Sequence, residues 1–358
     1  MNKITNYIKI IAFIVIFILL MHFFGILFNP TGTYKEWFQS YTIIEFYKQE
    51  RDTVDFLYVG NSCVYTGISP MEMYNNIGVT GYSLSTPRQQ MWSSYYWIKE
   101  AFQYQKPQAV FLEVGEAFSN LQSNDELSIR RAIDSMKLGK TKLEMIQDDD
   151  FELSGFDKLT CIFPVLRYHS RWNKIDEVDF RKFADKYEYT FFGFLMNKNV
   201  KKYGKDIDQN KNKKIKPRAE EINPEAILAK ETIEKMERIE KYCKDNNSEL
   251  VLIKVPEPRF WSEDKSRIIA EYAKERGLKF IDLNYDENIN IDWATDTQDG
   301  GDHLNLKGAE KVGTYLSNFI KSNFEIEDHR EDIKYQKWNQ RQEEYNFQKN
   351  NNNQNNEK

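Results

Sequence analysis

VDFLYVGNSCVYTGISP, Val54–Pro70, is the stretch on which the reading of the whole chain turns. Its first half is mostly apolar, as in a strand buried on both faces. The run ends abruptly at Gly60-Asn61-Ser62, and a small polar residue stands where packing would favour a larger apolar one. A serine in that place either closes the strand as a turn or is a nucleophile presented at the mouth of an α/β sheet. Taken alone, the stretch fits the turn better; the rest of the chain has to decide.

Working outward, strands and helices alternate. A strand over Thr53–Gly60 leads into a short helix, Pro70–Asn76, with Ser69 as cap and Pro70 in the first turn. A strand at Gly81–Leu84 follows. Gln89–Tyr104 then places Trp92, Tyr95, Tyr96, Ile98, Ala101 and Phe102 at helical spacing, and Ala109–Val114 is again a strand. The alternation pauses over residues 115–220, which hold helical pieces at Asp125–Leu138 and Asp176–Ala184 and read as an insertion or cap. It resumes with helix Pro224–Asn246, strand Glu249–Val255, helix Glu263–Arg276, strand Lys279–Leu283 and a last helix over Asn305–Ile320. Strands separated by helices in this way predict a parallel sheet covered on both faces.

The N-terminus points to a membrane. Ile10–Phe28 is 19 residues without a formal charge, about 28 Å as a helix and enough to cross the hydrocarbon. Lys3 and Lys9 precede it with no acidic residue to offset them, which predicts an N-terminus in the cytoplasm and a domain outside. The competing reading is a cleaved signal peptide, against which stand the long apolar run and the lack of an A-x-A-like site after it. The layout expected is therefore a cytoplasmic tail at 1–9, a transmembrane helix at 10–28, an amphipathic connector at 31–50 and a domain at 51–324. A polar, disordered tail is expected at 325–358.

Composition excludes several classes. At 358 residues with 41% apolar content the chain can bury a sizeable core. A net charge of −5 gives no footprint for nucleic acid. The three cysteines, Cys63, Cys161 and Cys243, show no CxxC spacing, so neither a disulfide framework nor a metal site is expected, and no cofactor is called for. No GxxxxGK[ST] loop supports phosphoryl transfer. One charged run stands out: Asn197–Arg218 carries nine Lys or Arg and two Asp. It reads first as a solvated loop and second as a surface for an anionic polymer or lipid.

The counterpart to Ser62 lies far along the chain. DTQDGGDHLNLKGAEKV, Asp296–Val312, sets His303, one of four histidines, in an acidic, glycine-rich loop before the last helix. That loop follows the last strand, on the edge of an open α/β sheet where ligands bind. A serine after the first strand and a histidine after the last would meet there. Ser-His-Asp chemistry needs an imidazole to take the hydroxyl proton and a carboxylate to hold its tautomer.

These residues carry a resemblance. Gly60-Asn61-Ser62 resembles the first block of the SGNH (GDSL-type) hydrolases, with Asn in place of the usual Asp, and DHLNLKGAEKV resembles their last block. SLSTPRQQMWSSYYWIKEAFQYQKPQAVFLEV and FPVLRYHSRW (Phe163–Trp172) are similar to segments of membrane-anchored SGNH proteins of Gram-positive bacteria. The resemblance covers most of 53–118 and 248–320 and implies a flavodoxin-like, three-layer α/β fold, with Ser62 as nucleophile and His303 as base. The family's aspartate stands three residues before the histidine, where this chain has Gly300. Asp299 is favoured over Asp302, whose side chain, next to His303, should point away from the ring. The block II glycine is replaced near Ser85 and no GxND block is found. The oxyanion donors expected are the amide of Ser62 or Cys63, with Ser85 and Gln89 as further candidates. Cys63 itself reads as a packing residue.

In FPVLRYHSRW, the alternation of Arg167, His169 and Arg171 would point all three the same way in an extended segment, towards a polyol or anionic polymer. The competing reading makes them a structural cluster anchoring the insertion. The function expected is that of a membrane-anchored, extracytoplasmic serine esterase or O-acyltransferase. Its partners would be a cell-surface polysaccharide or its acyl donor and, by the resemblance, a membrane-bound O-acyltransferase. The alternatives are a non-catalytic, tethered carbohydrate-binding scaffold on a degenerate SGNH fold and a hydrolase of lipids or small esters.

Overall fold

A computed structural model describes residues 3–30, 40–118, 126–181, 183, 189–203 and 228–351. At its centre is a five-stranded sheet of β1 (Phe56–Gly60), β2 (Gly81–Ser85), β3 (Ala109–Glu113), β4 (Glu249–Lys254) and β5 (Lys279–Asp282), in the order β2-β1-β3-β4-β5 and parallel throughout. The protein is thus α/β with a parallel sheet, as the alternation predicts. Side chains of successive strand residues face opposite layers. Leu57, Val59, Val110, Leu112, Leu250 and Leu252 join one buried cluster with helices Met91–Ala101 and Lys230–Asp245. Phe56, Tyr58, Phe111, Val251 and Ile253 join the other, under helix Leu306–Asn323. The order reverses between β1 and β3, and their carboxyl ends mark the switch point at which doubly wound sheets place ligands.

Helix α1, Lys3–Phe28, is long and apolar enough to cross a membrane. It is exposed from Ile4 to Leu20, whereas Gly25, Leu27 and Asn29 are buried against the domain. The connector is more than a connector where it is described. Tyr41, Ile43 and Phe46 are buried in the core, Thr42 Oγ1 donates to the Ser85 carbonyl at 2.7 Å, and Tyr82 Oη donates to the Thr42 carbonyl at 2.7 Å. The insertion likewise packs into the main core: Ile129, Ile133, Met145, Phe151 and Cys161 share the cluster on the Met91–Ala101 face. Residues 204–227, most of the basic run and the start of the expected Pro224 helix, lie outside the described residues.

The expected disordered tail is corrected by the structure. Residues 325–351 fold back over the domain and end in a helix, Gln336–Asn350. Trp338 stacks on Phe192 with centroids 3.5 Å apart, and buried Tyr345 donates to Glu72 Oε1 at 2.7 Å. His329 Nε2 lies 2.9 Å from Asp55 Oδ2 at the start of the sheet. The segment is polar by composition, yet its few aromatics fall where they can be buried together. Residues 352–358 lie outside the described residues.

Candidate active site

Gly60 explains why the first strand stops where it does. A Cβ there would stand 2.5 Å from the Glu113 Cβ of the neighbouring strand, so only glycine lets β1 and β3 close at this edge. Asn61 then turns the chain into the short helix Ser62–Gly67. Its Oδ1 accepts from the Cys63 amide at 3.0 Å, capping that helix, and its Nδ2 donates to Glu116 Oε1 at 3.0 Å. Ser62 is thereby held in the first helical turn at the sheet edge.

The other side of the site is a tight loop. Gln298 N donates to the His303 carbonyl at 3.1 Å, Thr297 pairs with Leu304, and Thr297 Oγ1 donates to the His303 carbonyl at 2.9 Å. Gly300 and Gly301 take φ of +90° and +102°, and the reversal they make brings Asp299 back to the imidazole. Asp299 Oδ1 accepts from the amides of Asp302 (3.2 Å) and His303 (2.9 Å), and Oδ2 lies 2.5 Å from His303 Nδ1. His303 Nε2 lies 2.7 Å from Ser62 Oγ. Hydroxyl, imidazole and carboxylate thus form one hydrogen-bonded line between residues 241 positions apart in sequence. Burial acts to raise the Asp299 carboxyl, but the bonds and charge of His303 outweigh it and hold the carboxyl below its ordinary value.

Asp302 points elsewhere. Both of its oxygens take Nη1 of Arg259, at 2.7 and 2.8 Å, on the surface. The oxyanion candidates separate in the same way. The Cys63 amide is taken by Asn61, and burial pushes the Cys63 thiol well up, leaving it neutral. Gln89 is tied to Thr86 and Ser94 at 3.1 and 3.2 Å. Ser85 is buried opposite Gly60. The Ser62 amide, in the open first turn of its helix, has no acceptor among the described residues and is the donor best placed for an oxyanion.

Arg167, His169 and Arg171 do not form an extended, one-sided row. Val165–Tyr168 is helical and His169–Asn173 is a 3₁₀ turn, so the three side chains diverge. Arg167 pairs with Glu126 at 2.7 Å. His169 Nδ1 lies 3.0 Å from the Leu166 carbonyl. Arg171 is buried and bonds Asp179 at 3.0 and 3.1 Å and the Phe28 carbonyl at 2.6 Å. Arg171 thus ties the segment to α1 and Arg167 ties it to Glu126, while His169 bonds within its own turn.

Sequence reasoning missed the support beneath the site. Lys254, at the end of β4, lies 2.8 Å from Glu113 Oε1 and 2.9 Å from Glu257 Oε2, with Lys254 and Glu113 fully buried. Burial works against the ammonium, but the two carboxylates outweigh it and keep Lys254 protonated. Glu113 also accepts from the Gly115 amide at 2.9 Å, fixing the turn that carries Glu116 to Asn61. Glu113 and Lys254 are charged residues at the ends of apolar strands, and that anomaly was the available signal.

Comparison with models of known protein families and with characterised proteins returned no match. Function therefore has to be argued from the site itself.

Proposed function

We propose that the protein is a membrane-anchored serine esterase or O-acyltransferase that acts on a cell-surface polysaccharide through an acyl-enzyme on Ser62. The observation that carries this reading is the line Ser62 Oγ–His303 Nε2, His303 Nδ1–Asp299 Oδ2, at 2.7 and 2.5 Å. Ser62 Oγ attacks the acyl carbonyl while its proton passes to His303 Nε2, and Asp299 stabilises the imidazolium through Nδ1–H. The Ser62 amide donates to the tetrahedral oxyanion. His303 then gives its proton to the leaving oxygen, the alcohol departs and the acyl group remains on Ser62. Water or a carbohydrate hydroxyl, deprotonated in turn by His303, takes the acyl group and restores the serine.

The strand order 2-1-3-4-5 supports a flavodoxin-like arrangement of the kind SGNH proteins use. Helix α1, with Lys3 and Lys9 ahead of its apolar run, supports an anchor with the domain outside the cell membrane. A polymer held at the same envelope suits a tethered enzyme. The test is labelling by a fluorophosphonate, followed by assay of acyl groups on the polymer. Wild type should be modified at Ser62, and Ser62→Ala and His303→Ala should lose both labelling and acyl chemistry. A Ser62→Ala protein with unchanged polymer acylation would make it a scaffold instead.

A further inference from the structure

The place where α1 enters the domain has a consequence for everything around it. A hydrocarbon core about 30 Å thick takes about 20 residues of helix. If the core begins at Ile4, it ends near Phe23; if Lys9 marks its edge, it extends to about Asn29. The domain already closes on the helix in this interval. Gly25 is buried, with Pro164 Cδ 3.2 Å from where its Cβ would stand, and Arg171 bonds the Phe28 carbonyl at 2.6 Å. In either register, the domain surface beside Phe23–Phe28 lies at the boundary of the bilayer or within it.

Among the described residues, that surface carries exposed aromatic side chains. Phe183 stacks on Phe23 with centroids 5.7 Å apart and is still 46% exposed. Phe180, one turn earlier, is 54% exposed, and Trp172, next to Arg171, is 70% exposed. The helix Glu177–Arg181 that carries Phe180 packs against α1. Aromatics, tryptophan above all, gather at membrane–water interfaces, where an apolar ring and a polar edge are both accommodated.

We propose that Trp172, Phe180 and Phe183 form a seat that enters the interfacial layer of the lipid bilayer beside α1. The domain then rides on the membrane surface at a fixed height and tilt instead of swinging on a tether. The buried Arg171–Asp179 pair, clamped to the end of α1, makes anchor and seat one rigid unit. The seat orients the whole domain, and with it the sheet edge that carries Ser62. This inference rests on α1 being a membrane anchor.

The test uses the full-length protein in phosphatidylcholine–phosphatidylglycerol vesicles. The native thiols Cys63, Cys161 and Cys243 are buried, so a single introduced cysteine takes an environment-sensitive fluorophore selectively. Trp172→Cys and Phe180→Cys replace exposed side chains and leave the core intact. Phe13→Cys reports α1 itself, and exposed Lys244→Cys reports the bulk domain surface. Probes at 172 and 180 should be quenched by shallow nitroxide lipids and should be at least threefold less accessible to aqueous iodide than the probe at 244. If the probe at 13 is quenched by lipid nitroxides while those at 172 and 180 match the probe at 244, the seat is refuted and the anchor stands. If the probe at 13 is not quenched, the anchor reading fails and the seat with it. Shielding of 172 and 180 from lipid and iodide alike would mean that a second copy of the chain covers the patch, and would overturn the proposal.

Discussion

Replacing Asp299 by Asn tests the site most sharply, because the structure says what the change does to each atom. Asp299 now uses both oxygens: Oδ1 takes two backbone amides of its own loop, and Oδ2 takes His303 Nδ1. An asparagine has one acceptor oxygen. The amides of Asp302 and His303 claim it, so the NH₂ faces Nδ1. The imidazole must then accept at Nδ1 and carry its proton on Nε2, which faces Ser62 Oγ. A base already protonated on that side cannot take the serine proton. The equivalent change in a serine protease costs about 10⁴ in kcat, and a loss of that order is expected here with loop geometry preserved. Asp302→Asn disturbs only a surface pair with Arg259, worth about 0.2–1 kcal/mol of stability, and should leave kcat within a few-fold of wild type. The assay is turnover of an activated ester alongside the rate of fluorophosphonate labelling. A crippled Asp302→Asn with a near-normal Asp299→Asn would refute the reasoning.

Three further outcomes are expected. Burial works against the His329 imidazolium, but the bond and charge of Asp55 outweigh it and raise its pKa above the ordinary 6.5. That stabilisation is complete below pH ~6.5 and is lost as pH rises through the folded value, so protection factors in Gln336–Asn350, taken against the base-catalysed intrinsic rate, should fall between pH 6 and 9; protection factors that stay constant refute the linkage. Lys254→Met leaves Glu113 and Glu257 facing each other without a cation and should cost about 3–5 kcal/mol in denaturant unfolding. The double variant with Glu113→Gln should recover part of that loss, and a single variant of wild-type stability would show that the pair contributes nothing. Gly301→Ala forces a Cβ onto a residue with φ +102° and to 2.4 Å from the Tyr203 ring, which should strain the loop by about 1–2 kcal/mol and lower kcat about tenfold. Tyr203→Ala in the same protein should restore activity only in part, and full activity of Gly301→Ala alone would show that the loop tolerates the change.

The sheet was readable because each strand is a short apolar run closed by glycine or polar residues, and helix Glu263–Arg276 has the limits its pattern predicts. The positions of Ser62 and His303 at one edge followed from topology alone. Two kinds of feature were not readable. Arg167, His169 and Arg171 alternate like a strand, yet Pro164 opens a helical turn at Val165–Tyr168 and the segment packs on α1, which together override the alternation. The tail after Glu325 looks disordered because its average composition is polar. Its order rests on well-separated side chains, among them His329, Trp338 and Tyr345, that find partners in the first hundred residues or at Phe192.

The returning helix Gln336–Asn350 closes on a segment far earlier in the chain. Tyr345 bonds Ser69 and Glu72, and Lys349 reaches Glu72 and Glu310 at 2.8 and 2.7 Å. Without this helix, Pro70–Ile77 loses the partners of Glu72 and the Trp338 ring that covers one flank of Tyr74. Deleting Gln336–Asn350 should therefore loosen Pro70–Ile77, and a cut between the domain and that helix would act on the flank of the Ser62 edge through contacts such as Tyr345–Glu72, 273 positions apart in sequence.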